Sequence, residues 1–343
     1  MQYKIFQFFL MGVCLTTWCM GNGGLKASVK SYEKAAASGD VGALYNLGRM
    51  YHYGNGVSQD YAKAHMWYEK AAALNESQAI NDLGVMYREG HGCKQNPEQA
   101  LLLFEKGAHL GNAQAMFNLG RLYGMGQGFP VDYVQAKNWY EQAAALNNVD
   151  AILSLGICYH FGQGVSQDYA QARSWYEKAV DLGCADAMNN LGLLYEKGQG
   201  VAQDYVQAAY WYEKGAVGGS VAAMLNLGAS YHCKRGFSQD YAKAKEWYEK
   251  AAALNSADAM VNLGMLFYCA HGVRQDYAQA KSWFEKAASL GNSNAMNNLG
   301  LLYWKGYGVD KDNAQAVQWF EKAAFCGHTI AQNNIKNIST NAE

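Results

Sequence analysis

The Leu-Gly pair of this chain recurs at a fixed interval. Its glycines stand at Gly48, Gly84, Gly120, Gly156, Gly192, Gly228, Gly264 and Gly300, always 36 residues apart, without insertion or deletion. The stretch Ala187 to Ala216, AMNNLGLLYEKGQGVAQDYVQAAYWYEKGA, is one such copy. A constant period in the range of roughly 20–50 residues marks a repeat array. Each copy buries its apolar faces only against its neighbours, so the array grows in one dimension. A chain of 343 residues would by length alone suggest two domains, but a solenoid needs no domain break.

Each copy reads as two helices. The first carries Ala43, Leu47, Gly48 and Tyr51 on one stripe. Glycine inside a helix costs about 1 kcal/mol relative to alanine. Its presence in every copy therefore predicts close helix contact at that point. The first helix stops at a Gly-x-Gly turn, as in Gly54-Asn55-Gly56 or Gly198-Gln199-Gly200. Asp60, Asp132, Asp168, Asp204, Asp240, Asp276 and Asp312 then stand where an N-cap is needed. Asn96 followed by Pro97 takes that role in the second copy. The second helix carries a Trp-Tyr pair such as Trp67-Tyr68 and ends at Gly or Asn, from Gly39 and Asn75 to Gly327. Only these two residue types occur there, as a left-handed C-cap requires. The only prolines are Pro97 and Pro130, so nothing obstructs the helices.

The predicted fold is all-α: an α/α superhelical solenoid of about eight 36-residue helix-turn-helix repeats with terminal half-repeats. Residues 25–39 form an unpaired N-terminal half-repeat, residues 40–327 the eight full repeats, and residues 328–343 a capping helix and tail. Asn333, Asn334, Lys336 and Asn337 are expected to give that cap a polar outer face. Residues 1–24 differ from the rest. Lys4 precedes an apolar run from Ile5 to Met20, followed by Gly21-Asn22-Gly23-Gly24. This is the pattern of a secretory signal peptide, and it is too short for a stable membrane span. The expected location is the periplasm or the cell exterior.

Composition excludes several functions. Lys+Arg 28 against Asp+Glu 29 leaves a net charge of −1 with no basic run, so no nucleic-acid partner is expected. Cys93, Cys158, Cys184, Cys233, Cys269 and Cys326 follow no framework, and no Cys-x-x-Cys occurs. They read as small buried thiols rather than disulfides or zinc ligands.

The composite pattern Ala-x-x-Asn-Leu-Gly-x-x-Tyr-x-x-Gly-x-Gly-Val, then Asp-Tyr-x-x-Ala-x-x-Trp-Tyr-Glu-Lys-Ala-Ala, resembles the Sel1-like repeat family, a relative of tetratricopeptide repeats. The resemblance covers residues 25–338. It implies an adaptor or scaffold for protein complexes, and for exported bacterial members a link with host cells. A cysteine-rich branch of that family from Helicobacter stitches each repeat with a disulfide seven residues apart. Those pairs are missing here. Some members of that branch are described as penicillin-binding or weak β-lactamases. The one Ser-x-x-Lys here, Ser31 to Lys34, lies within the repeat consensus and has no Lys-Thr-Gly or Ser-Asp-Asn beside it.

The side chains with chemistry are mostly periodic. Glu69, Glu105, Glu141, Glu177, Glu213, Glu249, Glu285 and Glu321 share one phase, which suits a solvated face and not a catalytic acid. Asn46, Asn118, Asn190, Asn226, Asn262, Asn298 and Asn334 share another, with Asp82 and Ser154 in the same row. These amides either bond a neighbouring repeat or grip an extended peptide backbone. His52, His160 and His232 lie in non-adjacent repeats, so no metal site and no cofactor are expected.

Departures from the repeat carry the specific information. By the tetratricopeptide resemblance, the first helices line a concave surface. Positions three before, one after and four after the helix glycine should face a groove there. They include Tyr45, Arg49, His52, Arg88, Phe117, Arg121, Leu153, Ile157, His160, Leu225, His232, Met265, Tyr268 and Trp304. Arginines at one end beside an apolar floor suit a peptide with a carboxylate and apolar anchors. The reading is a monomeric, exported, non-enzymatic protein that binds a peptide or another protein on its concave face. The alternatives are penicillin recognition and a structural role in an envelope complex. Two successive turns lose their first glycine, at Cys233-Lys234-Arg235-Gly236 and Cys269-Ala270-His271-Gly272.

Overall fold

The computed structural model describes residues 22–126 and 128–340. The expected leader lies outside these residues, except for Asn22, Gly23 and Gly24, which form the first turn of helix α1. Among the described residues the chain is helical throughout, with no strand. Helix α1 (Asn22–Ala37) stands alone. It is followed by hairpin pairs: α2 (Val41–Tyr53) with α3 (Tyr61–Ala73), α4 (Ser77–Glu89) with α5 (Pro97–His109), and α6 (Ala113–Met125) with α7 (Tyr133–Ala145). Next come α8 (Val149–Phe161) with α9 (Tyr169–Asp181), α10 (Ala185–Lys197) with α11 (Tyr205–Val217), and α12 (Val221–His232) with α13 (Tyr241–Ala253). The last pairs are α14 (Ala257–Cys269) with α15 (Tyr277–Ser289) and α16 (Ser293–Lys305) with α17 (Asn313–Phe325), and α18 (Thr329–Thr340) ends the described chain. The chain divides into two compact blocks, one ending at Asn148 and the other beginning at Val149. The 36-residue period runs through that boundary unchanged, so the sequence does not mark it.

The helix glycine meets an aromatic ring 20 residues later in every repeat. A Cβ on Gly48 would lie 2.4 Å from the Tyr68 ring, and one on Gly192 would lie 2.5 Å from Tyr212. Phe104, Phe284 and Phe320 occupy the same place against Gly84, Gly264 and Gly300. The ring thus lies directly on the backbone of the partner helix, and most of these rings are wholly buried. Large rings above glycine, flanked by buried alanines such as Ala64 and Ala71, let the two helices approach closely while filling the space between them.

The caps follow the sequence. Asp60 Oδ1 accepts from the Lys63 amide at 3.0 Å, and Asn96 Oδ1 accepts from the Gln99 amide at 3.0 Å. Asn75, Asn147 and Asn255 take φ near +60°, where other repeats place glycine. The periodic glutamates pair along their own helices: Lys137 with Glu141 at 2.6 Å, Arg173 with Glu177 at 2.7 Å, and Lys281 with Glu285 at 2.5 Å. The lysine after the glutamate lies over the half-buried tryptophan, as Lys250 does over Trp247 at 3.9 Å. The Trp-Tyr-Glu-Lys signature therefore has an architectural part for each of its residues.

Two expectations change. Asn334 is not on the polar outer face of the cap; it is buried and donates to Asn297 Oδ1 at 2.9 Å. Of the described cysteines, all free, only Cys158 is buried, while Cys233 and Cys269 are exposed. Both stand at the C-terminal end of a first helix, where the chain runs out into the turn.

Candidate functional site

The first helices present the variable positions, and the structure sorts them by burial. Arg49 is exposed, with its guanidinium 5.9 Å from the centre of the half-buried Tyr45 ring. Arg121 is half-buried and lies over Phe117 at 5.8 Å. His52, Ile157, Leu225, His232, Met265, Tyr268 and Trp304 are half-buried. Arg88, Phe117, Leu153 and His160 are buried. Arg88 is therefore not a groove cation: its Nε donates to Glu89 Oε1 at 2.8 Å and its Nη1 to Asn118 Oδ1 at 3.1 Å. Phe117 and Leu153 serve as packing. His160 Nδ1 faces the Tyr176 hydroxyl at 3.3 Å. Burial lowers the pKa of His160, and the positive charge of Lys197 adds to this.

The amide row bonds between repeats. Asn118 Nδ2 donates to Asn81 Oδ1 at 2.8 Å, and Asn226 Nδ2 donates to Asn189 Oδ1 at 2.8 Å. The acceptors Asn81, Asn189 and Asn297 recur in every third repeat, so these contacts do too. In the first block the bonds join into a directed chain. Arg88 donates to Asn118, Asn118 to Asn81, and Asn81 Nδ2 to Asp82 Oδ1 at 3.1 Å. The Tyr45 hydroxyl also lies close to this carboxylate. Each donor points toward Asp82, the only acid in the amide row. Burial nevertheless pushes the Asp82 pKa up to about 6, against the opposing pull of these bonds and of Arg49.

Beside Asp82 lies an open cleft of about 460 Å³. Tyr45, Ser77, Gln78, Asn81, Asp82, Asn112 and Gln114 supply its polar lining. Three successive first helices, α2, α4 and α6, or the residues that cap them, contribute to it. Amides and one carboxylate make this a surface of paired donors and acceptors. Of the residues expected from sequence, Tyr45 lines it and Arg49 stands beside it. Ser31 and Lys34 are exposed on α1, well separated in sequence from this cleft. Among the described residues no group of three or more His, Cys, Asp or Glu is placed to hold a metal ion. No helix among them is long and apolar enough to cross a membrane.

Sequence reasoning missed two devices. Gln59, Gln95, Gln167, Gln203, Gln239 and Gln275 tie the turns. Each donates from Nε2 to the carbonyl seven residues back, at 2.7–3.0 Å. Their 36-residue spacing, mostly just before the capping Asp, was the available signal. The other device is a ladder along the turns. At several places the residue four after the helix glycine meets the middle residue of the next repeat's turn, 39 positions later. Glu196 pairs with Arg235 at 2.7 Å, and His232 Nε2 lies 3.0 Å from His271 Nδ1. The disturbed turns thus carry Arg235 and His271, both partners in this ladder.

A family model described as Sel1 repeat matches residues 41–76, 77–112, 113–148, 149–184, 185–220, 221–256, 257–292 and 293–328. The chain belongs to the Sel1 repeat family. Sel1 repeats in general mediate protein–protein interaction, and that is the broad functional class of this protein. It is similar to a protective antigen of uropathogenic Escherichia coli that displays an SLR fold. The two share 33% identity over 91% of this chain and 67% of that one, with a TM-score of 0.64. It is also similar to a Sel1 repeat protein from Oxalobacter formigenes, at 32% identity over 73% of this chain and 98% of that one, with a TM-score of 0.63. No curated protein matches the sequence significantly.

Proposed function

We propose that this Sel1 repeat protein is an exported, non-enzymatic adaptor. It holds an extended segment of a partner protein against the first-helix face of its N-terminal block. The observation that carries this reading is the open cleft beside Asp82, lined by amides, a hydroxyl and one carboxylate. Gln78, Asn112 and Gln114 there suit the alternating donors and acceptors of a peptide backbone. Arg49, exposed on the rim, suits a carboxylate of the partner, and the Tyr45 ring an apolar group. The leader-like residues 1–24 support export. The similar Escherichia coli protein is a protective antigen, which supports contact with a host.

The binding face is tested by placing a photo-crosslinking amino acid at Gln114 in the native cell, with Lys178 on an outer helix as control. A discrete adduct is expected from position 114 alone. Arg49→Ala should weaken the isolated interaction about tenfold, as loss of one charge-assisted hydrogen bond does, with helicity unchanged. Equal adducts from both positions, or adducts indifferent to Arg49→Ala, would place the partner elsewhere. Export is tested by fusing residues 1–24 to a reporter that is active only outside the cytoplasm. An inactive fusion rejects export. Turnover of a chromogenic β-lactam, lost in Ser31→Ala, would overturn the non-enzymatic assignment.

A further inference from the structure

Two steps of the turn ladder are built alike and lie five repeats apart. In the C-terminal block, Tyr241 stacks flat on His271 at 5.0 Å and meets His232 edge-on at 5.3 Å. The two imidazoles cross at 75°, with Nε2 of His232 3.0 Å from Nδ1 of His271. In the N-terminal block, Tyr61 stacks on His91 at 4.6 Å and meets His52 edge-on at 5.3 Å. Here the imidazole centres are 6.2 Å apart, and Nδ1 of both rings is buried with no hydrogen-bond partner among the described residues.

The fold does not require histidine at these places. The equivalent pair is Glu196 with Arg235 in one repeat and Tyr268 beside Tyr307 in another. In a third, Gln199 stands in the equivalent place to His271, across from His160, and its Nε2 donates to the Tyr169 hydroxyl at 3.0 Å. An ion pair, a phenol pair and an imidazole–amide pair all satisfy the same geometry. Two imidazoles are the one combination among them that offers two neutral nitrogen lone pairs to a borderline metal ion. With metal–nitrogen bonds of about 2.0–2.1 Å, adjacent donors of a tetrahedral site stand about 3.4 Å apart. The His232–His271 pair needs to open by only a few tenths of an ångström.

We propose that each His-Tyr-His step binds one divalent transition-metal ion of the zinc, nickel or copper class. His232 Nε2 with His271 Nδ1, and His52 with His91, supply two ligands apiece, and water completes the shell. No net proton is released at the C-terminal pair. The proton now shared between the facing nitrogens moves to the opposite nitrogen of the donor ring, and both facing nitrogens become ligands. The stacked tyrosine holds one ring in orientation, as outer partners of metal-bound histidines do. The ion would join successive repeats at the turns. This site is separate from the Asp82 cleft and does not depend on it.

The test uses the full chain carrying Cys233→Ser and Cys269→Ser, which removes the two exposed thiols as competing ligands. Calorimetric titration with Ni²⁺ should give two sites of micromolar class. His271→Gln should remove one site, His91→Gln the other, and the double variant both. Glutamine is the control residue because Gln199 already occupies the equivalent place beside His160, so the fold accepts it. Unchanged circular dichroism of each variant confirms this. With Cu²⁺, nitrogen hyperfine structure in the electron paramagnetic resonance spectrum should be lost in parallel. Absence of binding at about 1 mM Ni²⁺, or wild-type stoichiometry in the double variant, would overturn the proposal.

Discussion

A tyrosine or phenylalanine ring lying on a bare glycine backbone is the smallest unit on which each repeat depends. At Gly192 an added methyl would stand 2.5 Å from the Tyr212 ring, which is wholly buried and cannot retreat. Gly192→Ala should therefore destabilise by about 1–3 kcal/mol through overpacking, although alanine is the better helix former. Urea unfolding measures this, and a stabilised variant would contradict the contact. Asp82 behaves in the opposite way. Its pKa of about 6 lies above the ordinary carboxylate value, so the folded state binds the proton more tightly than the unfolded chain. Its contribution is thus favourable below the unfolded value and is lost as pH rises through about 6. Asp82→Asn, which restores the residue of the row, should stabilise by about 1–3 kcal/mol at pH 8 and give no gain near pH 4. A gain independent of pH would show that burial of charge is not the cause. The recurrence of the glycine was legible in the sequence. The ring on which it depends, 20 residues away, was not, because contact across a hairpin leaves no local pattern.

Turns decide where the helices stop and what their edges present. In most repeats the first helix ends at a left-handed glycine such as Gly198, with φ +65°. Lys234 and Ala270 take φ +59° in the two turns that lack it. A side chain in that conformation costs about 1 kcal/mol or more relative to glycine. Lys234→Gly and Ala270→Gly should each raise stability by about 1 kcal/mol, read as a higher midpoint in urea. No gain from either would mean that neighbouring contacts already relieve the strain. The turns are held from the other side by glutamine. Gln203 Nε2 bonds both the Glu196 carbonyl at 2.8 Å and the Tyr205 hydroxyl at 3.1 Å. Gln203→Ala should cost about 1 kcal/mol, while Gln207→Ala on the exposed helix surface should cost nearly nothing. The Gly-x-Gly punctuation and the Asp caps were readable because they act on the adjacent backbone. The glutamine ties reach back seven residues around a turn, and only a folded turn brings the two ends together.

At the scale of the molecule, stability is distributed over nearest neighbours. The repeats are equal in length, so one can be removed in register. A chain lacking residues 257–292 joins α13 to the α16 hairpin through the same kind of interface that it loses. It should fold with the same helicity per residue, and its denaturant slope should fall by roughly one tenth, in line with the surface no longer exposed on unfolding. Unfolding of the whole C-terminal block on this excision would show that the repeats are not interchangeable. The same deletion removes His271 and should abolish one of the two proposed metal sites. The cleft beside Asp82, built from α2, α4 and α6, is untouched by it.

The sequence by itself determined the architecture: period, helix ends, caps and the family all follow from local patterns repeated at one spacing. Local patterns suffice there because capping, turn conformation and amphipathic spacing act within a few residues. It also marked the variable first-helix positions, but as one class. Tertiary structure separated them. Arg88 and Arg49 occupy related positions and carry the same charge, yet Arg88 is held inside by Asn118 and Glu89 while Arg49 stands in the open. Asp82 looked like a lapse in a row of asparagines. It is the end of a hydrogen-bond chain that crosses between repeats. Residues 36 to 39 positions apart acquire partners only when repeats stack, and stacking is what brings Asn118 to Asn81, Arg235 to Glu196 and His271 to His232.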